Sequence, residues 1–182
     1  GAGHIAHRFV QGLGFVPDVE LAGVWTRRDE QAQTFAREHG TRAFPSLDDL
    51  LQHIDALYIA TLPDSHSHYA LRAIAAHCAV LCEKPAAPGA SELGRILDAA
   101  RAAKILFMEA MKPPFYPLFR RLTAHLADDP IGNIGFVRAG CSIADAPLGH
   151  PSFSLEQGGG ALLNIGIYEA FLAVRFLGRA IK

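Results

Sequence analysis

The sequence has no excess of charge of either sign, and this limits the partners it can bind. Its 182 residues include 17 lysines and arginines and 18 aspartates and glutamates, for a formal net charge of −1 at pH 7. The basic residues occur singly or in pairs, so no basic stripe follows the chain as nucleic-acid binding requires. We therefore expect no nucleic-acid partner.

Paired cysteines and long apolar runs are also scarce. The three cysteines, Cys78, Cys82 and Cys141, cannot all pair, and Cys-x-x-x-Cys without a second pair is poor metal spacing. We expect buried free thiols and no metal site. Apolar runs such as residues 56–60 are far shorter than a membrane span, and no leader with a cleavage site is visible. These features predict a cytoplasmic protein with no membrane partner.

Up to about residue 108, short apolar runs alternate with helical stretches, as in a parallel sheet covered by helices. Ser46 with Asp49 resembles a capping box, Asp29 is expected to cap its helix, and Gly40 stands where a C-cap glycine belongs. The predicted strands are 19–25, 41–44, 56–60, 79–82 and 105–108, and the predicted helices are 4–12, 29–39, 47–53, 65–77 and 91–103.

The sequence changes character after Met108, because Pro113, Pro114 and Pro117 interrupt it. We place a domain boundary near residue 110, with a cofactor-binding domain at 1–110 and a partial C-terminal domain for substrate and dimerisation at 111–182. This second part has too few strands to complete a sheet domain. It contains one predicted strand, 134–139, and predicted helices at 118–126 and 161–177.

A glycine turn opens the chain. Gly1-Ala2-Gly3-His4-Ile5-Ala6 reads as G-x-G-x-x-A at the start of a helix, where backbone N–H groups can bind a dinucleotide pyrophosphate. Glycine-rich turns also occur as plain loops, and the buried strand that precedes such a turn in dinucleotide folds is missing here. The cofactor-binding residues expected at the turn are Gly1, Gly3, His4 and Ile5.

The residues after the second predicted strand bear on the choice of cofactor. NAD enzymes usually place an acidic residue there to hold the ribose 2′-hydroxyl, whereas this chain has Thr26, Arg27 and Arg28. A guanidinium suits a 2′-phosphate through charge-assisted hydrogen bonds, so we expect NADP(H) in preference to NAD(H). The alternative is that both arginines are solvated charges ahead of a helix.

A lysine-proline motif carries a resemblance to a known family. Glu83-Lys84-Pro85 directly follows a predicted strand, at the strand end that faces the ligand crevice in open α/β sheets. With the glycine turn and with Thr61 and His66 ahead of a helix, this motif resembles the Gfo/Idh/MocA oxidoreductases. Residues 108–110 and 158–168 resemble the branch of dimeric dihydrodiol dehydrogenase and NADP-dependent D-xylose dehydrogenase.

The resemblance implies a fold and roles for single residues. The implied fold is α/β, a Rossmann-type doubly wound parallel sheet, here without its first strand, followed by an incomplete α+β domain with an open, mainly antiparallel sheet. Tyr168 is expected as general acid/base, Lys84 as its electrostatic partner and Asn164 as a hydrogen-bond group for the substrate. Asn164 and Tyr168, four residues apart on a predicted helix, would share a face. Thr61, His66, Glu83 and Lys84 are expected beside the cofactor.

The expected function is hydride transfer between NADP(H) and a hydroxyl or carbonyl carbon of a sugar, polyol or diol, in a homodimer or higher homo-oligomer. Most relatives have aspartate where Asn164 stands, and Lys112 replaces a tryptophan of the dihydrodiol enzyme, which favours a more polar substrate. Without the resemblance, Tyr168 would be read as a core tyrosine and Lys84 as a surface charge. A non-catalytic NAD(P)-binding sensor and an inactive fragment are the alternatives.

Overall fold

The computed structural model describes residues 1–128, 131–142, 147 and 149–178. The chain divides into two compact units, Gly1–Glu109 and Ala110–Lys182. The last four residues of the predicted second domain, 179–182, lie outside the described residues. The assignment of residues 1–110 to cofactor binding and of 111–182 to substrate binding and dimerisation stays a prediction.

A parallel sheet is the centre of the first unit. Its strands are β1 (Ala56–Ile59), β2 (Ala79–Cys82) and β3 (Phe107–Glu109), in the order β1-β2-β3. Ile59 pairs with Cys82, and Cys82 pairs with Glu109, so the three strands end at the same edge of the sheet. The parallel α/β fold predicted from the alternating pattern is confirmed.

Helices surround this sheet. They are α1 (His4–Leu13), α2 (Asp29–His39), α3 (Leu47–Leu51), α4 (His66–Ala75) and α5 (Ala90–Ala103). Ala70 and Ala73 of α4 and Ile96 of α5 are completely buried, since small side chains let α4 approach the strands closely.

Two of the three predicted helix boundaries are confirmed. The Ser46 hydroxyl accepts a hydrogen bond from the Asp49 N–H at 3.0 Å at the start of α3. Gly40 ends α2 in the left-handed conformation, with a φ of 61°. The prediction for Asp29 is wrong, because Arg28 takes the N-cap position and Asp29 lies in the first turn, where its charge complements the helix dipole.

The predicted strands 19–25 and 41–44 are not formed as strands. Their only pairing in the described structure is one isolated parallel bridge between Val24 and Ala43. A cavity of about 690 Å³ is lined by residues 18–25 together with residues 53–59. Within residues 1–128, all of which are described, no strand pairs with the edge of segment 19–25 that faces this cavity. A strand is stabilised by hydrogen bonds to its neighbours, so the segment stays largely irregular.

The second unit is helical in its described residues. It contains α6 (Pro117–Ala127) and α7 (Ile167–Leu177), and the Phe119 ring of α6 lies 5.6 Å from the Phe171 ring of α7. The strand predicted at 134–139 is wrong: the described part of this unit contains no strand, and an unpaired strand gains no ladder hydrogen bonds. The predicted long helix is real, but its Leu162–Gly166 turn is π-helical.

The cysteines differ in burial, and one helical segment is long and apolar. Cys78 and Cys82 are buried free thiols as predicted, whereas the predicted burial of Cys141 is wrong: it is exposed, in the described stretch 131–142, which contains no helix or strand. By length and composition alone, Leu155–Leu177 could cross a membrane, with a hydropathy of 1.4 and none of its window buried. Core helices of soluble proteins pass the same test, so this segment does not by itself assign a membrane.

Candidate cofactor and active site

The glycine turn lies against the carboxyl end of β1. The Gly1 nitrogen donates to the Trp25 carbonyl oxygen at 3.0 Å, which brings the turn next to residues 26–28. A Cβ at Gly1 would collide with the Ala60 carbonyl oxygen and lie 3.2 Å from the Thr61 methyl group. Glycine is therefore required here by the close approach of two backbone segments.

Gly3 differs from Gly1 because a side chain there would meet nothing. It is the N-cap of α1, with φ −86° and ψ 178°, a backbone conformation that any residue can adopt. A Cβ built on Gly3 has no neighbouring atom within 4 Å. Open space thus lies directly in front of the α1 N-terminus, where backbone N–H groups attract anions.

The predicted 2′-phosphate residues follow Trp25. Thr26 is half-buried, while Arg27 and Arg28 are exposed. The Arg28 Nε donates to the Gln31 side-chain oxygen at 2.9 Å, which orients its guanidinium along the start of α2. His4 is exposed, and Ile5 packs against the apolar cluster around Phe35. The turn, the arginines and Thr61 therefore belong to one region of the first unit.

His66 is buried within the protein, with an exposed fraction of 1%. Its Nδ1 lies 2.8 Å from the Pro85 carbonyl oxygen, and its Nε2 lies 3.0 Å from the Thr61 carbonyl oxygen. The ring thereby links the loop after β1 to the loop after β2. Both ring nitrogens face protein carbonyls, so His66 positions these loops.

The Glu83-Lys84-Pro85 loop is held from several sides. The Tyr58 hydroxyl of β1 donates to Glu83 Oε1 at 2.8 Å, and the Lys84 N–H donates to Glu83 Oε2 at 3.3 Å. On the other side, the Ala86 N–H donates to Glu109 Oε1 at 2.7 Å. Glu83 is buried and Lys84 half-buried, so the backbone of Lys84 is fixed while its side chain retains access to solvent.

Tyr58 remains a hydrogen-bond donor in this network. Burial raises the pKa of Tyr58 well above its usual value, and the hydrogen bond to Glu83 adds to the rise. The phenol therefore keeps its proton at neutral pH and stabilises the Glu83 carboxylate.

Sequence reasoning did not identify Tyr58 and Glu109 as residues that position this loop. The position of Glu109 was a usable signal: it ends a strand parallel to β2, and strand ends share one edge of the sheet. Tyr58 carried no such signal, because its contact with Glu83 depends on the register of β1 against β2.

The remaining predicted residues belong to the second unit. Asn164 lies in the π-helical turn, and its side-chain nitrogen donates to the Ser152 hydroxyl at 2.5 Å. Tyr168 is half-buried at the start of α7. Lys84 belongs to the first unit, so its convergence with Tyr168 on one reacting oxygen stays a prediction.

These features define a class of protein. Parallel strands that end at one edge, with a glycine turn opening a helix beside them, form a dinucleotide-binding α/β domain. Residues 1–111 match the family model of the oxidoreductase family with an NAD-binding Rossmann fold, GFO_IDH_MocA. The chain belongs to this Gfo/Idh/MocA family.

Known relatives match most of the chain. It is 35% identical over 173 residues to trans-1,2-dihydrobenzene-1,2-diol dehydrogenase of Danio rerio, covering 92% of this chain and 51% of that protein. It is 32% identical over 188 residues to scyllo-inositol 2-dehydrogenase (NADP(+)) of Bacillus subtilis, covering 98% and 57%. The crystal structure of a 3-ketoreductase from Actinomadura kijaniata with NADP and TDP-benzene has a TM-score of 0.87 at 30% identity, covering 98% and 56%. The chain thus spans about half the length of the relatives it matches.

Proposed function

We propose that the protein is an NADP-dependent oxidoreductase that transfers a hydride between NADP(H) and a hydroxyl or carbonyl carbon of a sugar, polyol or diol. The observation that carries this proposal is the Glu83-Lys84-Pro85 loop, held by Tyr58, His66 and Glu109 at the carboxyl edge of the sheet. Ligands of open α/β sheets bind at this edge. The names of the relatives describe action on a dihydrodiol and on an inositol and reduction of a 3-keto group.

The proposed chemistry needs a proton at the reacting oxygen. Hydride transfer to a carbonyl leaves an alkoxide that must gain a proton, and the reverse reaction must remove one. Tyr168 supplies that proton, and the Lys84 ammonium stabilises the phenolate and binds the substrate oxygen. The side-chain amide of Asn164 donates a hydrogen bond to a substrate hydroxyl or accepts one from it. Asn164 and Lys112, both residues of the second unit, favour a polar substrate over an aromatic diol.

Turnover tests the proposed role of Tyr168. NADPH fluorescence is followed with the full-length protein: it falls when NADPH reduces an aldose or a diketone, and it rises when a polyol reduces NADP⁺. Tyr168→Phe should lower the rate by about 10² to 10⁴ while NADPH binding is kept. Tyr116→Phe, at an exposed tyrosine of the second unit, is the matched control and should keep its activity. Equal turnover by Tyr168→Phe and wild type would reject the proton-transfer role, and NADPH binding without any turnover by wild type would favour the sensor.

Cofactor choice is tested at Arg27. The exposed guanidinium stands one residue after Thr26, beside the glycine turn, where it can pair with a 2′-phosphate. Arg27→Ala should weaken NADPH binding by about 1.5 to 3 kcal/mol and leave NADH binding unchanged. Arg101→Ala, an exposed arginine on α5 paired with Asp98, is the control. If NADPH affinity is the same in both variants, the arginine does not bind the phosphate.

The proposal also covers the compartment and the oligomeric state of the protein. The free thiols Cys78, Cys82 and Cys141 suit a reducing compartment, so we place the protein in the cytoplasm. Large apolar side chains of the second unit, among them Phe136 and Leu162, are exposed in this chain, which suits a homodimer or higher homo-oligomer of the full-length protein. Its mass in solution, from light scattering, distinguishes these states from a monomer.

A further inference from the structure

Two histidines and a glutamate converge between α1 and α2, and none of the three is among the residues proposed for catalysis or cofactor binding. His7 lies on α1, and Glu38 and His39 are the last two residues of α2. His7 Nδ1 is 2.7 Å from His39 Nε2 and 3.6 Å from Glu38 Oε2. The three potential ligand atoms all lie within 4.8 Å of one another.

Packing holds the two imidazole rings in place. The buried Phe35 ring lies 4.6 Å from the His7 ring and 4.4 Å from the His39 ring, so both histidines rest on one apolar side chain. His7 and His39 are half-buried, whereas Glu38 is exposed. The cluster therefore combines two positioned nitrogen donors with a carboxylate that can still move, and one side remains open to water.

We propose that His7, Glu38 and His39 form a binding site for a divalent transition metal ion, with Zn²⁺ the best match. Two imidazole nitrogens and one carboxylate oxygen are a donor set that zinc uses in proteins, with water in the fourth position. Binding requires the proton shared by the two rings to move, by way of solvent, to the other nitrogen of the ring that carried it, so that both imidazoles bind as neutral ligands. Tetrahedral geometry with Zn–N bonds of 2.0–2.1 Å requires the two nitrogens to separate to about 3.3 Å, which is a small rotation of partly exposed rings.

The surroundings of the cluster favour a cation. A groove beside it is lined by Glu30, Gln31, Thr34 and Ala2 as well as by His7 and Glu38, so a second carboxylate faces the same space. An ion here would join the C-terminal end of α2 to the helix that begins at the glycine turn. The ion would therefore have a structural role, because it would link two helices.

Metal titration of the full-length protein, without a histidine tag and stripped with a chelator, tests this proposal. Co²⁺ should bind with one equivalent and produce visible absorption bands of low-symmetry coordination, and Zn²⁺ should displace it. The double variant His7→Gln/His39→Gln should bind at least about 100-fold more weakly, because loss of two ligands exceeds the effect of losing an outer-shell partner. The matched control His53→Gln/His68→Gln changes two exposed histidines of the same unit and should bind like wild type.

Glu38→Gln is a second test, which applies even if the double histidine variant fails to fold. Glu38 is exposed, so the substitution should keep the fold and still weaken Zn²⁺ binding by about tenfold or more. Zn²⁺ should also raise the thermal unfolding temperature of wild type and of the control but not of the double variant, since an ion bound only by the folded state stabilises it. Binding that is equal in all variants, or absent in wild type, would overturn the proposal and leave a hydrogen-bonded histidine pair. Neither outcome depends on the proposed hydride transfer.

Discussion

The two glycines of the turn illustrate how differently one residue type can act. Gly1 is required by the protein itself, because the Ala60 carbonyl oxygen occupies the place of a side chain. Gly3 has no such neighbour, so the protein itself does not require a glycine there, and the proposed reason for it is the approach of a bound ligand. The sequence motif has glycine at both positions, and only the three-dimensional structure distinguishes the glycine that the fold requires from the one that leaves room for an anion.

Gly3→Ala should therefore keep the fold and lose cofactor. The added methyl meets no protein atom within 4 Å and the backbone conformation is allowed, but the methyl stands where a pyrophosphate would approach the α1 N-terminus. We expect NADPH affinity to fall at least tenfold, measured by fluorescence titration, with unchanged circular dichroism. Gly12→Ala, within α1 and equally open, is the control and should stabilise the helix by about 0.5 to 1 kcal/mol with unaltered binding. Equal affinities of the two variants would contradict this role of Gly3.

Residue-level predictions with a local cause were mostly correct, with the N-cap at Asp29 wrong by one position. Ser46 and Gly40 were identified correctly because capping depends on a few neighbouring residues. Burial was predicted for all three cysteines and is confirmed for Cys78 and Cys82 but wrong for Cys141, since burial depends on which other segments cover a residue. The contacts of Glu83 with Tyr58 and of Ala86 with Glu109 join residues far apart in sequence, and no spacing rule reveals them.

At the scale of elements, helices were predicted better than strands. A helix forms its hydrogen bonds within itself, so periodicity and caps locate α1 to α5 from the sequence. Strands depend on partners: segment 19–25 pairs only through the Val24–Ala43 bridge, and segment 134–139 pairs with no strand among the described residues. Strand propensity is therefore an incomplete guide wherever the partner is not known.

The cap of α3 gives an element-scale prediction. Ser46→Ala removes the hydroxyl that accepts the Asp49 N–H and donates to Asp49 Oδ2, so an N-terminal donor of the helix loses its partner. We expect a loss of about 1 kcal/mol in the free energy of unfolding, measured by urea denaturation. Ser91→Ala, at an exposed position in the first turn of α5, should change stability by less than about 0.5 kcal/mol. A loss of the same size in both variants would show that the capping bond contributes nothing specific.

For the whole molecule, buried thiols predict how stability depends on pH. Burial raises the pKa of Cys82 from 9.0 to about 12, with further contributions from the Glu109 and Glu83 carboxylates. Between these pH values the unfolded chain has lost a proton that the folded protein keeps. The free energy of unfolding must then fall as pH rises, with a limiting slope of about 1.4 kcal/mol per pH unit for this group.

Urea denaturation from pH 8 upward measures this slope. The fully buried Cys82 is replaced in Cys82→Ala, which should be less stable at pH 8 but should lose stability more slowly above about pH 9. Cys141→Ser, at an exposed thiol, should keep the wild-type slope. Parallel slopes in wild type and Cys82→Ala would mean that this thiol is not linked to folding. Cys78 and Tyr58, whose pKa values are also raised by burial, contribute to the slope that remains.

The sequence by itself determined the fold class, the family and the residue types at the cofactor edge, because these depend on periodicity, on local turn chemistry and on short motifs. Tertiary structure decided which side chains are buried and which hydrogen bonds hold them. It buried His66 between two loops, joined Glu83 to Tyr58, and brought His7 to His39 across 32 positions of the chain. The physical reason is that helix and turn energies arise between near neighbours, whereas side-chain networks and strand pairing arise between segments whose separation in sequence carries no information about their distance in space.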